Sequence, residues 1–297
     1  SFVTQEDVLV TVEKIIEKTF SKFSKKKFTK TPFPRIPYLE ALEKYGTDKP
    51  DLRNPLEVKD LTYFFEDERV QFKIFKNLIN DGALVKAINV NVGRDKPRSF
   101  FDKLNQWAKD EAGTGLGYIY FTEENNNLLG KGPIAKNIQD SMQTILIKEL
   151  NIKSGDALFF ICDKKNKAIN FSGQVRTKLA NELGLIKNNE FKFCWIVDFP
   201  MYEIDEQTKK IEFSHNPFSM PQGGLDALIN LNPLDIKAFQ YDIVCNGIEL
   251  SSGAIRNHSL EVMIKAFEIA GYSKETIEKK FPSLYTAFKF GAPPHGG

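Results

Sequence analysis

Val8, Val12, Ile15, Ile16, Phe20 and Phe23 recur at helical spacing near the start of the chain, with charged residues between them. Thr4 and Asp7 stand ahead of them as a capping box, and Glu6 adds negative charge to the first turn. The pattern predicts an amphipathic helix that ends near Ser24. "TPFPRIP" follows, then a second, short helix from Tyr38 to Gly46. "TDKPDLRNP" is polar and punctuated by proline, and is expected to be an ordered loop.

The period changes between about Val70 and Asp163. "VQFKIFKNLI", "GALVKAINVNV", "GLGYIYF" and "DALFFICD" predict strands, while "SFFDKLNQWAKDE" and "NIQDSMQTILIKEL" predict helices between them. This order describes a small α+β module with its own core. After it come a capped helix in "SGQVRTKLANELGL", an apolar strand in "FKFCWIVDFPMY" and a charged loop in "EIDEQTKK". "IEFSHNPFSMP" reads as a strand then a turn, and three helices, the last two short, begin at Ser259, Ser273 and Pro282. The organisation is one parent domain at residues 1–64 and 165–297, interrupted by an inserted module at 65–164. "GAPPHGG" reads as a closing turn, so both ends of the chain are expected to be cut points of a longer protein.

At 41% hydrophobic and 27% charged residues, the 297-residue chain has the balance of a globular protein. Its formal net charge of +2 makes it no polycation, and no DNA partner is expected; any nucleic-acid contact must come from local patches. "SKKKFTK" is read first as the solvated end of the opening helix and second as a phosphate-contacting patch. Cys162, Cys194 and Cys245 sit singly in apolar surroundings, which predicts reduced core thiols rather than a disulfide framework or a zinc site. No apolar run reaches membrane-span length and no signal peptide is present, so a cytoplasmic protein without a membrane partner is expected.

The chemistry concentrates in "YDIVCNGIELSSGAIRNHS". Asn246-Gly247 between two apolar runs is a strong hairpin signal. Folding there sets Cys245 opposite Ile248, Val244 opposite Glu249 and Asp242 opposite Ser251. Asp242, Val244, Glu249 and Ser251 then share one face, with the two carboxylates as diagonal neighbours ~7–8 Å apart. Arg256 falls on the other face of a regular strand, and a glycine-assisted bulge in "SSG" is expected to return it. Two acids suit a metal ion or a polyphosphate's cations, and an arginine suits a carboxylate or phosphate. The competing reading is a salt-bridged structural hairpin with its acids facing solvent. His215 reads first as a loop or core-edge residue and His258 as a cap or surface group. His295 in "PPHGG" marks a close approach to a ligand or the start of a strand. No GxSxG occurs, and "GTGLG" lacks the spacing of a dinucleotide fold.

Taken together, "YLEALEKYGTDKPDLRNPLEV", "WIVDFPMYE", "FSHNPFSMP", "YDIVCNGIELSSGAIRNHS" and "FGAPPHGG" resemble, in this order, bacterial-type aspartyl-tRNA synthetases of class II. The resemblance implies an α+β fold: a partial class II antiparallel sheet, six-stranded in the family, with flanking helices. The insert is similar to a domain of tRNA-dependent amidotransferases. The implied reaction activates L-aspartate with ATP to aspartyl-adenylate and passes it to the 3′ end of tRNA(Asp), with tRNA(Asn) as a second candidate. By matching position, Asp242 and Glu249 are the implied Mg²⁺ ligands and Glu249 also engages ATP. Arg256 is the implied partner of the aspartate side chain, and His215 lies near the amino acid pocket. No further catalytic group is implied beyond these positioning residues. Asn216 stands where relatives can carry a second histidine, and Ser251 and Ser252 where relatives are richer in glycine. The family's first motif, its dimer interface, its anticodon-binding domain and most of its second and third motifs have no counterpart here. The resemblance therefore implies a fragment of a homodimeric enzyme, inactive by itself. Its alternatives are a non-catalytic tRNA-binding relative and an enzyme that adenylates aspartate for amide synthesis.

Overall fold

Thr4 Oγ1 accepts from the Asp7 N–H, and the Asp7 carboxylate accepts from the Thr4 N–H, closing the expected capping box. Helix α1 (Gln5–Phe23) opens there in a computed structural model that describes residues 1–93, 96–125 and 127–297. Strands β1 (Lys27–Phe28) and β2 (Arg35–Pro37) and helix α2 (Tyr38–Tyr45) follow. The chain forms two compact units, one of Ser1–Leu39 with Asn189–Gly297 and one of Glu40–Asn188.

The second unit runs β3 (Val58–Asp60), α3 (Thr62–Glu66), α4 (Lys73–Asn80), β4 (Ala83–Asn91), α5 (Arg98–Ala112) and β5 (Gly117–Glu124). It continues with β6 (Asn127–Lys131), α6 (Asp140–Glu149), β7 (Asp156–Lys164) and α7 (Lys165–Glu182). Its sheet has the order β3-β4-β7-β5-β6 and every pairing is antiparallel. Helices cover both faces. Phe65, Phe75, Phe121 and Phe160 fill one core, while Phe101, Phe159, Phe171 and Leu179 fill the other. Strand β7 is buried through its apolar run, as an unbroken hydrophobic stretch demands.

Two expectations fail in this unit. "VQFKIFKNLI" is not a strand: Val70 makes only an isolated bridge to Ile138, and helix α4 starts at Lys73. Phe72, Phe75 and Ile79 supply the stripe that meets the core, at helical rather than alternating spacing. Likewise α7 begins at Lys165, seven positions before Ser172. Ala168, Phe171, Val175 and Leu179 continue one buried stripe, so Ser172 lies inside the helix and donates to the Ile169 carbonyl at 2.6 Å.

The loop "TDKPDLRNP" is ordered, as its composition suggested. Buried Arg176 donates to the carbonyls of Asp51 (3.0 Å), Asn54 (2.8 Å) and Leu56 (2.6 Å), and its guanidinium lies 4.9 Å from the Tyr45 ring centre. Burial holds its pKa down to about 10.

The first unit resumes with β8 (Glu190–Phe191), β9 (Phe193–Pro200), β10 (Tyr202–Ile204), β11 (Ile211–Phe213) and α8 (Gly224–Asn230). Then come β12 (Lys237–Cys245), β13 (Ile248–Arg256), α9 (Leu260–Ile269), α10 (Lys274–Lys280), α11 (Pro282–Phe290) and β14 (His295–Gly296). The main sheet has the order β14-β13-β12-β9-β2. Among the described residues it has five strands, not six, and its β2–β9 edge is parallel while the other pairings are antiparallel. Part of the expected loop "EIDEQTKK" is strand β10, paired with β11. "GAPPHGG" likewise ends in a strand, because His295 pairs with Arg256.

One face of this sheet is a core. Trp195, Val197, Tyr241, Ile243, Cys245 and Ile255 pack with Leu9 of α1 and Phe33. Buried Glu13 of α1 ties the helix down, its Oε1 accepting from Trp195 Nε1 at 3.0 Å and the Phe33 N–H at 3.1 Å. All three cysteines are buried free thiols, and burial pushes Cys162 up to about 11 and Cys194 to about 12.

Candidate active site

The hairpin of β12 and β13 turns at Asn246-Gly247, where both residues have positive φ (53° and 83°), the requirement of a tight two-residue turn. The Asn246 side chain also accepts from the Lys192 N–H and donates to the Glu190 carbonyl. Cys245 opposes Ile248 and Val244 opposes Glu249, as the spacing predicts. The register then shifts: Ile243 opposes Ser251 and Asp242 opposes Ser252.

That shift corrects two expectations. Asp242 is not opposite Ser251, whose side chain falls on the other face, and the bulge is not in "SSG" but absorbs Leu250. The parity change expected for Arg256 therefore happens earlier. Glu249, Ser252, Ala254 and Arg256 all share the face of Gln240, Asp242 and Val244. Gly253 has a different task from the one its sequence suggested. It opposes Tyr241, and a Cβ there would lie 2.5 Å from the tyrosine ring. The Tyr241 phenol lies in the core behind the site, where burial pushes its pKa up against the pull of Arg256.

On the site face, Ile196 opposes Asp242 and Cys194 opposes Val244, so an apolar strand backs the two acids. Asp242, Glu249 and Arg256 are each half-buried. His295 of β14 opposes Arg256 and stands on the same face, at the start of a strand as one of its two readings has it. His258 is half-buried beside Ser259, and Ser259 rather than the histidine caps α9.

His215 sits in the turn before the segment 216–222. Its Nδ1 is 2.8 Å from Ser214 Oγ, and its ring meets those of Phe199 and Tyr38 edge-on at 5.0 and 5.5 Å. The segment continues into the fork where β12 and β13 separate. Met220 N–H donates to the Ile255 carbonyl and Asn257 N–H to the Phe218 carbonyl, while Phe239 N–H donates to Met220 and Gln222 N–H to Lys237. Ser219 forms a bridge with Arg256. Arg256 is thus flanked by Ser219 on one side and His295 on the other.

Two polar residues here carried no sequence signal. Asp198 in β9 has φ 57° and accepts from Gln222 Nε2 at 2.8 Å, and Gln240 lies buried at the fork. A left-handed aspartate inside an apolar strand is not legible from composition.

The donor set fits a hard divalent cation. Asp242 and Glu249 offer carboxylate oxygens on one face, and Mg²⁺ is ordinarily held by one or two carboxylates with phosphate oxygens completing its shell. Among the described residues no His, Cys, Asp or Glu joins them in a cluster of three or more. Arg256 adds a planar fork of donors suited to a carboxylate.

The family described as tRNA synthetases class II (D, K and N) matches residues 1–297, the whole of this sequence. The chain belongs to this family. Its antiparallel sheets and helices form the α+β fold that membership implies. The chain is 53% identical over 297 residues to the aspartate–tRNA(Asp/Asn) ligase of Beijerinckia indica subsp. indica, covering all of this chain and 50% of that relative. It is 54% identical over 298 residues to the ligase of the same name from Paramagnetospirillum magneticum, of which it covers 33%. The corresponding figures for Gluconobacter oxydans are 53%, 299 residues and 49%. This class II synthetase chain thus spans half the length, or less, of these curated relatives.

Proposed function

We propose that this chain carries the aspartate-activating site of an aspartate–tRNA ligase. The observation that carries the reading is the bulged hairpin, which puts Asp242, Glu249 and Arg256 on one half-buried sheet face. Identity of 53–54% to curated aspartate–tRNA(Asp/Asn) ligases supports it, and their shared name supports tRNA(Asn) as an acceptor beside tRNA(Asp).

In this reading Arg256 pairs with the side-chain carboxylate of L-aspartate. The guanidinium offers two parallel donors, and an asparagine amide would turn an NH₂ against them. His215 borders the amino acid pocket. Asp242 and Glu249 would hold Mg²⁺, and Glu249 would also engage ATP; bound there, the ion supplies charge neutralisation to the phosphates. The α-carboxylate of aspartate attacks the α-phosphorus of ATP, a carboxylate–phosphorus bond forms, and the bond to pyrophosphate breaks. The attacking group is already ionised, so the chain needs no general base, and its residues act by alignment. A hydroxyl of the 3′-terminal ribose of the tRNA then attacks the aspartyl carbonyl. The ester bond to the ribose forms, the bond to the adenylate phosphate breaks and AMP leaves, the hydroxyl proton passing to the leaving phosphate or to water. We further infer a cytoplasmic homodimer and an inserted, amidotransferase-related module at 65–164 between parts of a catalytic domain at 1–64 and 165–297. The inserted module lies inside the compact unit Glu40–Asn188.

The test is aminoacylation by a protein of the relatives' full length that carries this chain, with labelled aspartate and tRNA(Asp) or tRNA(Asn). Charging of both is expected. Charging of tRNA(Asp) alone would remove the second acceptor, and charging of neither would overturn the reading.

A further inference from the structure

Gln240 is 6% exposed and its amide is fully committed on one side only. Nε2 donates to Ser219 Oγ at 2.8 Å and to the Asn216 carbonyl at 3.2 Å, while Oε1 is buried with no partner among the described residues. A buried acceptor left without a partner is costly, so a side chain that keeps one must be held there for its donors. A methionine or leucine of similar volume would fill the same space without that cost.

What those donors hold is specific. Gln240 opposes Ala254 in the last regular pair before β12 and β13 separate around the segment 216–222. One of its two bonds ends on Asn216, the neighbour of His215. The other ends on Ser219, which is itself fully buried and forms the bridge with Arg256. A single amide therefore holds the turn that follows His215 against β12, and Ser219 of that turn carries the restraint to Arg256 through its backbone bridge.

We propose that Gln240 is a positioning residue for the amino acid pocket: it sets the turn of His215 and the backbone of Arg256 in one fixed relation. This rests on the functional reading above, in which those two residues border the bound aspartate. The carboxylate pair is held differently. Asp242 and Glu249 take their placement from the bulge and the Asn246-Gly247 turn, whereas the donor bonds of Gln240 end on Asn216 and Ser219. Gln240 should therefore act on amino acid binding and spare ATP binding.

The experiment is ATP–pyrophosphate exchange in a synthetase of the relatives' full length carrying this chain, with aspartate and ATP varied in turn. Gln240→Leu is expected to raise the aspartate KM at least tenfold and to leave the ATP KM within threefold. Gln240→Glu should be at least as severe, because a carboxylate cannot donate to the Asn216 carbonyl. Ser219→Ala, a smaller change that carries the test if the Gln240 variants do not fold, should raise the aspartate KM in the same selective way. Parallel rises in both KM values, as general loosening of the fold produces, would overturn the proposal, and so would an unchanged aspartate KM in Ser219→Ala. If the unaltered enzyme instead requires a different amino acid for exchange, the functional reading fails. Gln240 then stands or falls on the same split measured with that amino acid.

Discussion

The two units each contain a five-stranded sheet, and they use it in opposite ways. In Glu40–Asn188 both faces are covered, with Phe160 on one side of β7 and Phe159 on the other, so nearly every inward side chain is spent on packing. In the other unit the face bearing Tyr241 and Ile243 packs on α1, while the opposite face bears Gln240, Asp242, Glu249 and Arg256. The fold class is the same, but only the second arrangement leaves a rigid polar surface on which substituents keep fixed spacing. Strand β12 shows the division within a few residues: Tyr241, Ile243 and Cys245 face the core on α1, and Gln240 and Asp242 face the other side.

If that contrast is right, substitutions in the two sheets should separate stability from activity. Phe160→Ala should have the largest effect on folding, about 3–5 kcal/mol by chemical denaturation, because its fully buried ring packs against Phe65 and Phe75. Gly253→Ala should cost about 1–3 kcal/mol, since the added methyl group meets the Tyr241 ring and the chain must shift. A melting curve unchanged by Gly253→Ala would remove the close approach assigned to that glycine. Glu249→Gln, on the half-buried site face, should change stability by no more than about 0.5 kcal/mol. The same variant should cut ATP–pyrophosphate exchange by on the order of tenfold or more. A Glu249→Gln protein that unfolds early and exchanges normally would reverse the contrast.

Most of this division was legible in the chain, for physical reasons that differ by residue. Asn246-Gly247 announces its turn because few dipeptides accept two positive φ values, and from it the pairing of Val244 with Glu249 follows by counting. "DALFFICD" announces a buried strand by leaving no polar position between its two aspartates. The position of the bulge was not legible. The glycine of "SSG" drew attention to itself, but it is small for the sake of Tyr241, which a local reading of β13 cannot see. "VQFKIFKNLI" suggests a strand because its six apolar residues in ten fit alternation nearly as well as a helical stripe, and only the core contacts of Phe72, Phe75 and Ile79 choose between them. Gln240 was invisible for a third reason. An isolated glutamine in a strand means nothing until the turn at 216–219 folds against it.

In the proposed function the polar face of the hairpin sorts its ligands, the carboxylates toward ATP and Arg256 toward the amino acid. Arg256→Lys tests this most directly, because it keeps the charge and removes the fork of donors. In exchange assays on a protein of the relatives' length, the aspartate KM should rise on the order of tenfold or more while the ATP KM stays within about threefold. Equal changes in both would contradict the claim.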